Sequence, residues 1–254
     1  MNILISNDDG INAMGIRELV KAMSCCGDVY VVAPHDQRSA SSHALSIRGK
    51  VALKKVEMEG AKRAYECTGT PADCVKLGLD VLKREGIHID AVYAGINMGA
   101  NLATDTMYSG TVSAAAEGLM EGIPSVAVSV CSHEASHFEA ACKLAKDVLP
   151  MALEAKGRMG VISINTPDIP AEDILGVKAA KLGKIIYDQW FETVEADGEK
   201  TVYRYVGEPL PPEDTDDNFD VKLIHEGYAT VSAIKYDLND YAGLEEIKEW
   251  ELNI

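Results

Sequence analysis

Apolar residues in this chain fall into short unbroken runs separated by longer amphipathic stretches. Asn2-Ile3-Leu4-Ile5-Ser6, Val29-Tyr30-Val31-Val32-Ala33, residues 90–94, residues 125–130 and residues 160–164 read as strands buried on both faces. Between them, spacing near 3.6 residues predicts helices over about 14–25, 72–83, 111–120 and 135–149. Short apolar strands alternating with helices of ten or more residues predict an α/β, Rossmann-like, mostly parallel sheet with helices on both faces.

The last third departs from this rhythm. From about 174 to 223, aromatics, glycines, prolines and acids mix without clear helical periodicity. Tyr187-Asp188-Gln189-Trp190-Phe191 and Val202-Tyr203-Arg204-Tyr205-Val206 predict two strands around a turn at Asp197-Gly198. A protruding C-terminal β-hairpin of this kind is a device for subunit exchange. Glu213-Asp214-Thr215-Asp216-Asp217 reads as a solvated acidic loop whose spacing matches no calcium loop. The expected organisation is one domain over 1–254, with a core over about 1–170 and a hairpin and tail over about 171–254.

In sheets of this class, ligands bind beyond the carboxyl ends of the strands, and there the polar residues gather. After the first strand comes Asn7-Asp8-Asp9-Gly10. Adjacent carboxylates repel, so the pair is either a solvated turn or a site for a hard cation such as Mg²⁺ or Mn²⁺. After the second strand comes Pro34-His35-Asp36-Gln37-Arg38-Ser39-Ala40-Ser41-Ser42-His43. Its hydroxyls, amides and Arg38 suit phosphate oxygens or a metal shell, although an ordinary serine-rich surface loop is the simpler reading of these residues alone. His35 and His43 read as loop or supporting residues, because no third imidazole lies nearby.

The most specific segment is Gly95-Ile96-Asn97-Met98-Gly99-Ala100-Asn101, followed by Tyr108-Ser109-Gly110-Thr111-Val112. The asparagines offer neutral oxygens to a cation or amide donors to a phosphate. The glycines let the backbone approach a ligand closely. Ser109-Gly110-Thr111 opens a helix of small residues, where unpaired amides make an anion site, unless Ser109 or Thr111 serves only as a routine N-cap. Thr70-Pro71-Ala72-Asp73 is a well-formed helix start that can be purely structural or can border the site.

Composition narrows the function classes. The 254 residues are 47% hydrophobic and 25% charged, which suits a folded domain. A net charge of −16 opposes nucleic-acid binding, which depends on neutralising phosphates with Lys and Arg. No apolar run approaches the ~18–20 residues of a membrane span, and the opening residues carry no basic segment of an export signal. The six cysteines form no Cys-x-x-Cys pair and read as reduced thiols in a cytoplasmic protein.

Taken in order, Ile5-Ser6-Asn7-Asp8-Asp9-Gly10, the Val32-to-Ser39 segment, Gly69-Thr70-Pro71-Ala72-Asp73-Cys74, the Gly95-to-Asn101 segment and Tyr108-Ser109-Gly110-Thr111-Val112 resemble the SurE (survival protein E) family of 5′-nucleotidases. The resemblance implies one divalent cation per subunit, Mg²⁺ or Mn²⁺, held by Asp8, Asp9, Ser39 and Asn97. It implies phosphate contacts from Asn101, Ser109, Gly110 and Thr111, with Asp8 and Asp9 catalytic and Ser42 and His43 behind the ligands. The implied activity is hydrolysis of nucleoside 5′-monophosphates, with 3′-monophosphates and short polyphosphate as further substrates. A C-terminal extension exchanged within a homodimer or homotetramer is also implied.

Two departures stand out. Ala40 takes a position where family members commonly have Gly, and strains the backbone if φ there is positive; His43 replaces a frequent Asn. The rival readings are an aspartyl-phosphate enzyme, a nucleotide sensor or scaffold that does not hydrolyse, and a dinucleotide oxidoreductase. The last lacks a Gly-x-Gly-x-x-Gly after the first strand.

Overall fold

The computed structural model describes residues 1–155, 159–188, 191–196, 198–207, 210 and 218–250. In chain order the elements are β1 (Asn2–Ser6), α1 (Met14–Met23), β2 (Asp28–Pro34), β3 (Leu53–Val56), β4 (Arg63–Cys67), α2 (Pro71–Arg84), β5 (Ala91–Met98), a 3₁₀ helix (Ala103–Met107), α3 (Gly110–Met120), β6 (Ser125–Val130), α4 (Glu139–Glu154) and β7 (Val161–Thr166). The remainder comprises a 3₁₀ turn (Ala171–Asp173), β8 (Val177–Ala179), β9 (Phe191–Ala196), β10 (Thr201–Tyr205), α5 (Asp220–His225), β11 (Ala229–Ile234) and α6 (Tyr241–Lys248).

Nine strands form one sheet in the order β3-β4-β2-β1-β5-β6-β7-β11-β8. The pairings from β4 through β7 are all parallel. β3 lies antiparallel at one edge, and β11 joins β7 antiparallel and carries β8 beside it. The mostly parallel α/β sheet expected from the alternating pattern is therefore present.

Strand alternation builds two cores. Ile3, Ile5, Val29, Val31, Tyr93, Val126 and Val128 face α1 and α4, whose Ile16, Leu19, Val20, Ala145 and Leu149 pack on them. Leu4, Val32, Val92, Ala94 and Ala127 face α2 and α3, through Cys74, Val75, Leu82, Val112 and Ala115. Both faces of the central strands are thus buried, which is why they read as continuous apolar runs.

The chain moves outward from β1 in one direction through β2 and β4, then returns to β5 on the other side. The switch point lies between β1 and β5, so their carboxyl ends open a crevice. Asn7, Asp8 and Asp9 follow β1 there, and Asn97 lies near the end of β5.

The C-terminal hairpin is present, but its first strand begins at Phe191 rather than Tyr187, pairing Tyr205 with Phe191 and Thr201 with Ala196. Tyr187 instead donates its hydroxyl to Asp105 beside the site. Gln189, Trp190, the turn residue Asp197 and the acidic segment 213–217 lie outside the described residues. Among the described residues no helix is long and apolar enough to cross a membrane.

Candidate functional site

The turn after β1 is locked from beneath. Asn7 is fully buried and donates its side-chain amide to the Gly10 carbonyl at 2.9 Å. Asp8 is 4% exposed, and its Oδ1 accepts the Thr111 hydroxyl from the first turn of α3. A Cβ built on Gly110 would meet both Asp8 Oδ2 and Ser41 Oγ at 2.9 Å, so only glycine lets the helix start come this close. Burial raises the Asp8 carboxyl to about 6, with the adjacent Asp9 charge adding to the effect and the Thr111 bond opposing it.

Asp9 is also raised, chiefly by burial. Its Oδ2 accepts the Met98 amide at 3.0 Å, tying the β1 turn to the end of β5. Its Oδ1 faces the Gln37 side-chain amide at 3.4 Å, and the same amide donates to Ser39 Oγ at 2.9 Å. A single donor therefore stands between two of the oxygens expected to share a cation.

Asn97 reaches the site through an irregularity in the sheet. Ala94 pairs with Ala127 and Asn97 with Ser129, so Gly95 and Ile96 carry one extra residue between the pairs. Such a bulge re-aims the side chain that follows. Gly95 has φ +130°, and a Cβ there would stand 2.2 Å from the Val128 carbonyl oxygen. The Asn97 amide donates to the Gly99 carbonyl at 2.9 Å, which fixes the side-chain flip and leaves Oδ1 as the group to offer a cation.

The expected phosphate residues divide into two groups. Gly110 and Thr111 open α3 directly against Asp8, while Ser109 caps the helix by accepting the Val112 amide at 3.0 Å. Asn101 lies deeper: its side chain donates to Ser129 Oγ at 2.9 Å, and its backbone is held on both sides by Asn165. Ser42 anchors the 34–43 loop, donating its hydroxyl to the Met107 carbonyl and its backbone amide to the Tyr108 carbonyl. Ala40 has φ +54° and Ser42 φ +50°, so the position that favours glycine does lie in the left-handed region.

The Thr70–Asp73 start of α2 is a complete capping box, and it also borders the loop. Thr70 Oγ1 donates to the Ala44 carbonyl at 2.6 Å, and Asp73 Oδ1 accepts the Ser46 amide at 3.0 Å. Sequence reasoning misses Gln37 as the bridge between Asp9 and Ser39. It also misses His133, whose Cε1 would stand 3.0 Å from a Cβ on Gly99. The available signal for His133 is its place after β6, at the same carboxyl edge.

The oxygen donors suit a hard divalent cation. Two adjacent carboxylates raised by burial need a compensating charge, and Asn7 Oδ1 and Ser41 Oγ are buried with no partner among the described residues. No group of three His, Cys, Asp or Glu side chains converges among those residues, so neutral oxygens must complete any such shell.

Comparison with known proteins points to one family. A family model described as "Survival protein SurE" matches residues 3–189. A protein of Petrotoga mobilis called "5′-nucleotidase SurE" is 39% identical over 251 residues, covering 98% of this chain and 99% of its own. A protein of the same description from Clostridium beijerinckii is 40% identical, covering 97% and 98%. The crystal structure of the SurE protein from Aquifex aeolicus superposes with a TM-score of 0.84 at 33% identity, covering 98% of each chain.

Proposed function

This chain belongs to the SurE family, and from that premise we propose that it is a metal-dependent 5′-nucleotidase hydrolysing nucleoside 5′-monophosphates to nucleoside and phosphate. The observation that carries the reading is the Asp8–Asp9 pair at the end of β1, Asp8 buried and Asp9 half-buried, with Asp8 set directly against the start of α3. A pair of carboxylates that costs stability alone, placed beside an anion-binding helix end, is an arrangement for holding a cation next to a phosphate.

Asp8, Asp9, Ser39 and Asn97 are the residues to hold one Mg²⁺ or Mn²⁺ ion. A divalent cation there supplies positive charge toward phosphoryl oxygens and acidifies water. The chain's own residues do the rest. Asp8 or Asp9, besides holding the ion, orients the attacking water or accepts its proton. The Gly110 and Thr111 amides, with the Ser109 hydroxyl, face the phosphoryl oxygens as charge spreads over them. Asn101, bonded to Ser129 and Asn165, holds the loop between β5 and α3.

The same reading extends to 3′-monophosphates and short polyphosphate, in a cytoplasmic protein that binds no nucleic acid and no membrane. It treats 1–254 as one domain, with the hairpin and tail beyond 170 exchanged within a homodimer or homotetramer. Support for exchange comes from α6, which has no buried residue and exposes Tyr241, Leu244 and Ile247.

Substituting Asp9→Asn tests the assignment. Phosphate release from a nucleoside monophosphate is expected to fall at least ~10³-fold while circular dichroism and melting stay near wild type. A variant retaining full activity would sink the role given to Asp9.

A further inference from the structure

The loop from Arg38 to Ser46 has neither helix nor strand, yet it carries Ser39 and the buried hydroxyl of Ser41. Two of its residues, Ala40 and Ser42, are in left-handed conformations without being glycine. Backbone of this kind persists only where surrounding contacts hold it. On one side the loop is held by backbone and hydroxyl bonds to Asp8, Met107, Tyr108, Thr70 and Asp73. Among the described residues, the loop's one side-chain contact with the body of α3 is made by His43.

His43 Nε2 lies 2.8 Å from Glu117 Oε1, and Lys76 Nζ donates to Glu117 Oε2 at the same distance. Glu117 is 2% exposed and sits on α3, two turns below Gly110 and Thr111. Its carboxyl is held below its ordinary value by His43 first and Lys76 next, against the opposing effect of burial. An ionised carboxylate only accepts, so the Nε2 atom of His43 carries the proton and donates it. Glu117 is thus a buried charge satisfied by one residue from the loop and one from α2.

We propose that His43 is a positioning residue: by donating to buried Glu117 it fixes the Arg38–Ser46 loop on α3, the helix whose start faces Asp8, and so sets Ser39 and Ser41 toward the reacting phosphate. The proposal rests on the reading of the site as a nucleotidase and adds the residue that holds its loop in register. It assigns His43 no contact with substrate. Without the tie, the loop samples other conformations, and substrate must select the competent one. The apparent affinity then falls by the competent fraction, while saturating substrate restores the loop. The signature is a raised KM with kcat largely retained.

The test compares wild type, His43→Ala and His43→Gln, using adenosine 5′-monophosphate with Mn²⁺ and, separately, hydrogen exchange of the 38–46 amides without substrate. Glutamine places a donor amide near the position of Nε2, so it should restore the bond. Expected for His43→Ala are faster exchange across 38–46 and a KM raised about tenfold with kcat within about twofold, both reversed in His43→Gln. Unchanged exchange and KM in His43→Ala, a loss confined to kcat, or a failure of glutamine to restore either property would overturn the proposal. If His43→Ala does not fold, His43→Asn, whose amide falls short of Oε1, takes its place with the same expectation. The exchange comparison needs no turnover. Wild type that hydrolyses nothing would refute the nucleotidase reading, while exchange would still decide the role of His43.

Discussion

The carboxyl edge of the sheet and the C-terminal hairpin with its tail use similar residues to opposite ends. At the edge, asparagines and an acid are buried and bonded: Asn7, Asp8 and Asn101 are each 5% exposed or less. In the hairpin, Phe191, Tyr203 and Tyr205 are exposed, and neither β9 nor β10 contains a buried residue. The first region satisfies its polar groups from elements far apart in sequence, through Asp9 to Met98, Asn101 to Asn165 and Asp220 to Ala103. The second satisfies its backbone within one hairpin and leaves its apolar surface outside. The first kind of region suits a fixed site; the second leaves apolar side chains exposed.

Glycine substitutions should break the contrast most sharply. Gly95→Ala would drive a Cβ to 2.2 Å from the Val128 carbonyl at φ +130°, forcing β5 from β6. A loss of about 3 kcal/mol or more in urea unfolding is expected. Gly198 has φ +90°, but nothing lies within 4 Å of the place a Cβ would take. Gly198→Ala should therefore cost only the conformational strain, about 1 kcal/mol. Equal losses at the two positions would remove the distinction between the regions.

A pH series sharpens it next. The Asp8 carboxyl stands near 6 in the folded protein against 3.8 ordinarily, so the folded state holds its proton more tightly than the unfolded one. Stability of the metal-free protein is therefore greatest, for this group, at low pH and is lost as pH rises through the folded value. The loss is on the order of 3 kcal/mol above pH 6. Asp9 acts in the same direction. Urea midpoints with chelator should fall between about pH 4 and 6.5, Mn²⁺ should restore them by mass action, and Asp8→Asn should flatten the slope. Midpoints that do not respond to Asp8→Asn would contradict the buried, uncompensated carboxylate.

Much of the sheet is legible in the sequence because burial on both faces leaves an unmistakable apolar run. β1 and β6 match their predicted limits, α1 through α3 appear where periodicity places them, and α4 lies four to five residues later than expected. β5 runs four residues beyond its predicted end, because Gly95 and Ile96 form a bulge that no local pattern signals. β3 and β4 escape the pattern: Leu53-Lys54-Lys55-Val56 and Arg63-Ala64-Tyr65-Glu66-Cys67 lie at the edge, where half-exposed strands carry charge. The hairpin is foreshadowed, but its first strand starts four residues later than expected, because Tyr187 is apolar enough to suggest a strand yet serves Asp105 instead. At the site, motif order marks the ligand candidates. The Gln37 bridge, the His133 ring and the His43–Glu117 tie depend on contacts between distant segments, which spacing along the chain does not encode.

The smallest effect concerns Ala40, whose φ of +54° matches the strain anticipated from its departure from glycine. Ala40→Gly should relieve about 1 kcal/mol of strain, offset in part by the greater freedom of glycine in the unfolded chain. The melting temperature should rise by about 1–3 °C, with activity retained. A lowered melting temperature would show that alanine is accommodated there without cost.

The most direct test of the central claim is phosphate release from a panel of nucleoside 5′-monophosphates by metal-stripped protein, with Mn²⁺, Mg²⁺ or neither supplied. Release is expected to require a divalent cation and to disappear in Asp9→Asn. Release that is equally fast without metal, or silence across the panel from a folded protein given both ions, would contradict it.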